Sequence, residues 1–132
     1  MNKLISVLFC TQMAVSASSQ TTIEWENIEV VTDSNHNVVY YQKSDNEPLN
    51  GSIRIMKGLD EEIVNLKDGI MDGSYLRLRD GIVREEGNYT DGKRNGLFIE
   101  YYKDGITHRK DTPMKDGKID GTVITYFLSL IH

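Results

Sequence analysis

Three segments of this chain, residues 66–78, 89–101 and 114–126, repeat one pattern. Each has an apolar residue, then two glycines four apart that each follow Asp or Asn, then a short strand-like run: LKDGIMDGSYLRL, YTDGKRNGLFIEY and MKDGKIDGTVITY. The first glycines, Gly69, Gly92 and Gly117, are 23 and 25 residues apart. A fixed period near two dozen residues marks an array in which one supersecondary unit stacks on copies of itself. One such unit buries too little apolar surface to offset its ordering entropy, so its neighbours must supply the difference.

The unit is a β-hairpin. Nine of the 11 glycines follow Asp or Asn, as at Gly51, Gly81 and Gly105. Both central residues of the favoured tight hairpin turn need positive φ; Gly adopts it freely and Asp or Asn tolerate it better than most. The runs between turns are rich in Ile, Val, Leu, Tyr and Thr, which suit a pleated surface. Fold class is therefore all-β. Strand residues two apart share a face. That alternation predicts an inward stripe of Leu76, Leu78, Ile99, Tyr101, Ile124 and Tyr126. The opposite parity carries Tyr75, Arg77, Arg79, Phe98, Glu100 and Tyr102, then Val123, Thr125 and Phe127, a face mixed in rings and charges.

Upstream, Trp25, Ile28, Val30-Val31 and Val38 to Tyr41 flank a polar turn at Asp33 to Asn37. They predict a degenerate hairpin capping the open end of the array. Glu47-Pro48-Leu49-Asn50-Gly51, followed by Ser52 to Met56, reads as half of a decayed repeat, since terminal repeats deviate from the interior pattern. The organisation expected is a leader over 1–17, a capping hairpin over 18–46 and the repeat array over 47–132. Met1-Asn2-Lys3 is a short basic start, Leu4 to Val15 is mostly apolar, and Val15-Ser16-Ala17 supplies small residues for cleavage. This is the layout of a secretory signal peptide, and it predicts an exported protein, periplasmic or extracellular. The only cysteine, Cys10, would leave with it. At the other end, Leu128 to His132 is apolar where another Asp-Gly turn is due. A bare apolar edge strand predicts self-association.

Composition bears on partners. Without Lys3 the mature chain carries fourteen Lys and Arg against 20 Asp and Glu, a formal charge of −6. A net negative surface disfavours nonspecific attraction to nucleic acid or anionic membranes. No metal or cofactor is expected. The Asp-Gly pairs lack calcium-loop spacing, with Ile70 and Lys93 where a ligand should stand, and His36, His108 and His132 show no ligand spacing. Catalysis would need a nucleophile, a base and an orienting group in a cleft. Here Glu61-Glu62 and Glu85-Glu86 are chain neighbours that point to opposite faces. Gly92-Lys93 and Gly117-Lys118 lack phosphate-loop spacing. The expectation is no enzyme activity. Aromatics and Arg are enriched in recognition surfaces, so Tyr75, Arg77, Arg79, Phe98, Glu100 and Tyr102 are the candidate partner-binding residues.

Tyr89-Thr-Asp-Gly92-Lys-Arg-Asn-Gly96-Leu-Phe-Ile-Glu-Tyr101, followed by Tyr102-Lys-Asp-Gly105, resembles the MORN-repeat variant of bacteria. The 114–126 unit matches with Met for the first Tyr; the 66–78 unit keeps the glycines but has Leu for both tyrosines. The likeness covers about residues 40–127. The resemblance implies an open antiparallel meander of hairpin repeats forming an elongated twisted sheet. It also implies kinship with YwqK-like antitoxin components, and so a protein partner such as a bacterial toxin domain. An alternative the family allows is membrane-surface association through phospholipid, which the negative charge disfavours.

Overall fold

The computed structural model describes residues 20–128. The expected leader with Cys10, and residues 129–132 of the apolar C-terminal run, lie outside the described residues. Thirteen strands and a single 3-10 turn make up the described chain. They are β1 (Thr21–Glu24), the turn Trp25–Asn27, β2 (Ile28–Thr32), β3 (Val38–Gln42), β4 (Glu47–Pro48), β5 (Gly51–Lys57) and β6 (Asp60–Lys67). After these come β7 (Ile70–Arg79), β8 (Ile82–Thr90), β9 (Lys93–Arg94), β10 (Gly96–Tyr101), β11 (His108–Lys115), β12 (Lys118–Ile119) and β13 (Ile124–Thr125).

The Asp-Gly pairs make the turns their chemistry requires. Asp68 and Gly69 have φ of 53° and 81°, Asp91 and Gly92 48° and 83°, Asp116 and Gly117 50° and 83°. Positive φ at both central residues of a two-residue loop is the type I′ geometry, whose twist matches that of the flanking strands. The second glycine of each unit does a different job. Leu66 faces Met71 but Val64 faces Tyr75; Tyr89 faces Arg94 but Glu86 faces Ile99; Met114 faces Ile119 but Asp111 faces Ile124. In all three units the pairing therefore steps by two residues across Gly73, Gly96 or Gly121. Each step is a bulge, which bends its strand and sharpens the twist.

Successive corners are tied by a second set of hydrogen bonds. The amides of Gly69, Gly92 and Gly117 donate to the carbonyls of Leu49, Met71 and Arg94, at 2.8, 2.8 and 2.9 Å. Met71 and Arg94 each stand two residues beyond the preceding corner glycine; Leu49 stands three beyond Asn46, the last residue of the turn before β4. The Asp68 and Asp91 amides donate to Asn50 Oδ1 (2.7 Å) and Asp72 Oδ1 (3.1 Å). At Asn50 and Asp72 this accounts for the residue before the second glycine: its side chain binds the next corner.

The large sheet is ordered β1-β5-β6-β7-β8-β10-β11-β12, with β9 on β8 and β13 on β11. From β5 to β11 every pairing is antiparallel, between consecutive strands except that β8 pairs with both β9 and β10. The sheet as a whole is mixed, which corrects the expectation of a purely antiparallel one. β1 runs parallel to β5, with Thr21 opposite Ile53 and Glu24 opposite Met56. In the later units a long strand pairs with both halves of its partner. In the first unit β3 leaves to pair with β2, so the edge of β5 is free and β1 takes it.

The upstream hairpin forms as read: β2 and β3 pair around a turn where Asp33 Oδ1 accepts from the Asn35 and Asn37 amides at 2.8 and 2.9 Å. With β4 it makes a three-stranded sheet. It lies across one face of the large sheet rather than only capping its end. Ile28 and Leu49 join Ile23, Ile53, Ile55, Val64, Leu66, Tyr75 and Phe98 in a single core, with Tyr40, Met71, Tyr89 and Met114 packed against it. Contact is close at Gly69, where a Cβ would stand 2.5 Å from the Val39 side chain.

That overlay inverts the expected faces. Tyr75, Arg77 and Arg79 pair with Val64, Glu62 and Asp60 and share the covered, inner face. Tyr75 is 7% exposed and Phe98 2%. The expected inward stripe lies on the outer face: Leu76, Leu78, Ile99 and Tyr101 are half-buried, and Ile124 and Tyr126 are exposed. The parity was right and the side was wrong, because the side is decided by where the upstream hairpin settles.

Candidate functional site

The six candidate residues do not form one exposed patch. Tyr75, Phe98 and Tyr89 make an aromatic cluster on the inner face: Tyr89 meets both others edge-on at 5.5 and 5.6 Å, and Tyr75 and Phe98 are 6.4 Å apart. The Phe98 ring lies on Gly87, where a Cβ would stand 2.4 Å from ring atoms. Gly87 follows Glu rather than Asp or Asn, so the turn pattern does not account for it; making room for this ring does. Arg94 stacks over the Phe98 ring at 4.7 Å.

Charge on this face is paired. Glu85, which is buried, accepts from Arg77 Nε at 3.3 Å and lies 3.8 Å from Arg94 Nη2. Removing one partner from such a carboxylate leaves a poorly solvated charge, so Arg77 acts here as its counter-ion. The Tyr75 hydroxyl donates to Glu62 at 3.2 Å. Burial pushes the Tyr75 pKa well up, and the Glu62 and Glu85 charges push it further. Tyr40 is pushed up to about 12, by burial first and then by Glu62 and Tyr89. Glu85, Arg94 and Tyr89 were not among the candidates. The signal for Glu85 was its place opposite Arg77, which only the β7–β8 register reveals.

The other three candidates sit apart. Arg79 bridges to Asp60 at 2.9 Å, and Glu100 accepts from Arg109 at 2.8 Å. Tyr102, beyond the bulge that ends β10, donates to the Tyr126 carbonyl at 2.6 Å. Where the hairpin leaves the inner face, Trp25, Tyr40, Ile55, Lys57, Glu62 and Arg77 line a groove of about 330 Å³. Lys57 there stacks over the Trp25 ring at 5.1 Å.

The outer face carries a shallow groove of about 430 Å³ lined by Ile63, Ser74, Leu76, Glu86, Asn88 and Leu97. Leu97 is 50% exposed. Toward the C-terminal end, buried Asp111 lies 2.9 Å from His108 Nδ1 and accepts from the Tyr126 hydroxyl at 3.0 Å. The hydrogen bond to Asp111 raises the Tyr126 pKa first, burial second. His108 is held edge-on between the Tyr101 and Tyr126 rings. His108 and Asp111 lie three residues apart along β11. Among the described residues no group of three or more His, Cys, Asp or Glu side chains is placed to share a metal ion.

Comparison with protein-family models and with curated proteins finds no match. Among solved structures, the chain is similar to two of TarM, one of them a variant from S. aureus in complex with fondaparinux, α-GlcNAc-glycerol and UDP. Identities are 13 and 14%, the TM-score is 0.40 for each, and the matches cover 87 and 92% of this chain. The chain spans about a fifth of the length of those proteins, 20 and 21%. A likeness this weak carries no functional argument.

Proposed function

We propose that this chain is a non-catalytic, exported array of MORN-like hairpin units that binds a protein partner, in the manner of an antitoxin or immunity component. The observation that supports it most is the outer face. Ile63, Leu76, Leu97 and Ile99 stand there only partly covered, on a sheet braced from behind by its own core, with Glu86 set among them between Leu76 and Ile99. A rigid, half-apolar face with one charged group inside it, able to fix a partner's register, suits a recognition surface. Partner contact accordingly moves from the inner-face rings, which serve packing, to Leu76 and Leu97 beside them.

The test is co-purification of the tagged mature chain with the product of the neighbouring gene, expected to be a toxin. Leu97→Glu should abolish the complex while leaving the thermal midpoint nearly unchanged, since half of that side chain is already in solvent. Retention of the complex by Leu97→Glu would remove the outer face from the reading. A neighbour that is no toxin, or forms no complex, would remove the immunity role.

A further inference from the structure

On the inner face of the large sheet, Lys57 and Glu62 are each denied the partner that strand pairing sets opposite them. We infer that the groove between the Trp25 turn and strands β5 to β7 binds a free α-amino acid with an apolar side chain. This site goes beyond the protein-binding reading and does not rest on it.

Lys57 stands opposite Asp60, and Glu62 stands between Ile55 and Arg77. Asp60 is taken from its other side by Arg79 at 2.9 Å, and Arg77 turns to Glu85 at 3.3 Å. Lys57 is left to lay its ammonium over the Trp25 ring, 5.1 Å from the ring centre. Glu62 is left with one neutral donor, the Tyr75 hydroxyl at 3.2 Å. Its charge also reaches Tyr40, whose pKa is raised first by burial and then by Glu62. Among the described residues neither Lys57 nor Glu62 forms an ion pair. An ammonium has three protons to give and a carboxylate about four lone pairs to offer, so both keep unused capacity.

The two groups open onto one groove of about 330 Å³, a size that suits a small molecule. Its apolar walls are Trp25, 37% exposed, the half-buried Tyr40 and the buried Ile55. The Trp25 ring already takes an ammonium, as an aromatic face does through its quadrupole. Lys57 and Glu62 are diagonal neighbours across β5 and β6, about 7–8 Å apart at the backbone. A ligand that satisfies both needs a carboxylate for Lys57, an ammonium for Glu62 and an apolar body for the rings. A free α-amino acid carries all three within that span; a simple amine or acid would leave one of the two ions unpaired. Every wall belongs to the described residues, whose two ends lie elsewhere: Gln20 beside Ser52 at the other end of β5, and β13 on β11.

Trp25 is the only tryptophan of the chain, so its fluorescence reports on this groove. L-Phenylalanine, transparent where tryptophan is selectively excited, is titrated into the full chain. A saturable change in Trp25 emission should be complete by about 10 mM. Phenylalaninamide lacks the carboxylate and N-acetylphenylalanine the ammonium; each should bind about tenfold more weakly, the worth of one charge-assisted hydrogen bond. Lys57→Met should erase the advantage of phenylalanine over its amide, and Glu62→Gln its advantage over the N-acetyl compound. No saturable change would overturn the proposal, and so would a preference that both variants leave intact. Equal binding of phenylalanine and either analogue would also overturn it, making the groove a seat for a peptide end or for any aromatic body. The analogue comparison uses the unaltered chain, so it decides the matter even if a variant fails to fold.

Discussion

Phe98 and Gly87 show why single positions matter in so thin a molecule. Truncating a buried ring costs about 3–5 kcal/mol, from lost transfer energy and the cavity left behind. Phe98→Ala should therefore lower the denaturant midpoint sharply, whereas Phe127→Ala, at 86% exposure, should shift stability by about 0.5 kcal/mol or less. The glycines separate two causes of intolerance. Gly69 and Gly81 share nearly the same backbone, φ of 81° and 79°. A Cβ on Gly81 meets open space, but on Gly69 it meets the Val39 side chain at 2.5 Å and the Tyr40 carbonyl oxygen at 2.9 Å. Gly81→Ala should cost only the positive-φ strain, about 1 kcal/mol, and Gly69→Ala clearly more. Equal losses in urea melts would mean that the hairpin does not press on Gly69. Tyr40 supplies a pH signature. Its folded pKa, about 12, lies above its unfolded value near 10, so its contribution to stability is complete below pH 10 and is lost as pH rises toward 12. Tyr75 shifts in the same direction. Tyrosinate absorbance should therefore lag behind free tyrosine until the chain unfolds; ionisation of all tyrosines near pH 10 with the fold intact would contradict this.

At the scale of elements, the hydrogen bond from the Asp91 amide to Asp72 makes the junction between units a testable part. Asp72→Ala should cost about 1 kcal/mol, while Asp80→Ala, on the opposite end of β7, leaves that junction whole. Corners and hairpins were legible in the sequence because their cause is local. Asp68-Gly69, Asp91-Gly92 and Asp116-Gly117 each carry the backbone preference that sets the turn, and Asp33 closes its own loop. The faces were not legible. Alternation correctly grouped Tyr75 with Arg77 and Arg79, but nothing in β7 states which side another element will cover. That is decided by β3 settling on Gly69, where Val39 meets a residue thirty positions away in sequence. The parallel seat of β1 on β5 is missed for the same reason, since it depends on β3 turning away. The candidate surface was misread in consequence: Tyr75 and Phe98 look like recognition residues in composition and are core residues in place.

At the largest scale, the described residues of the large sheet are held by two kinds of rung, the strand pairings and the bonds from corner to corner. Its core is one cluster running from Ile23 at the β1 edge to Phe98 in β10. Elements joined in this way should open together rather than unit by unit. Native-state hydrogen exchange tests that directly. The amides of Gly69, Gly92 and those of β6, β7 and β8 should exchange with one common opening free energy, equal to that of global unfolding. Unit-by-unit exchange, with the Gly92 corner opening at a much lower free energy while β6 and β7 stay protected, would contradict a single stacked array.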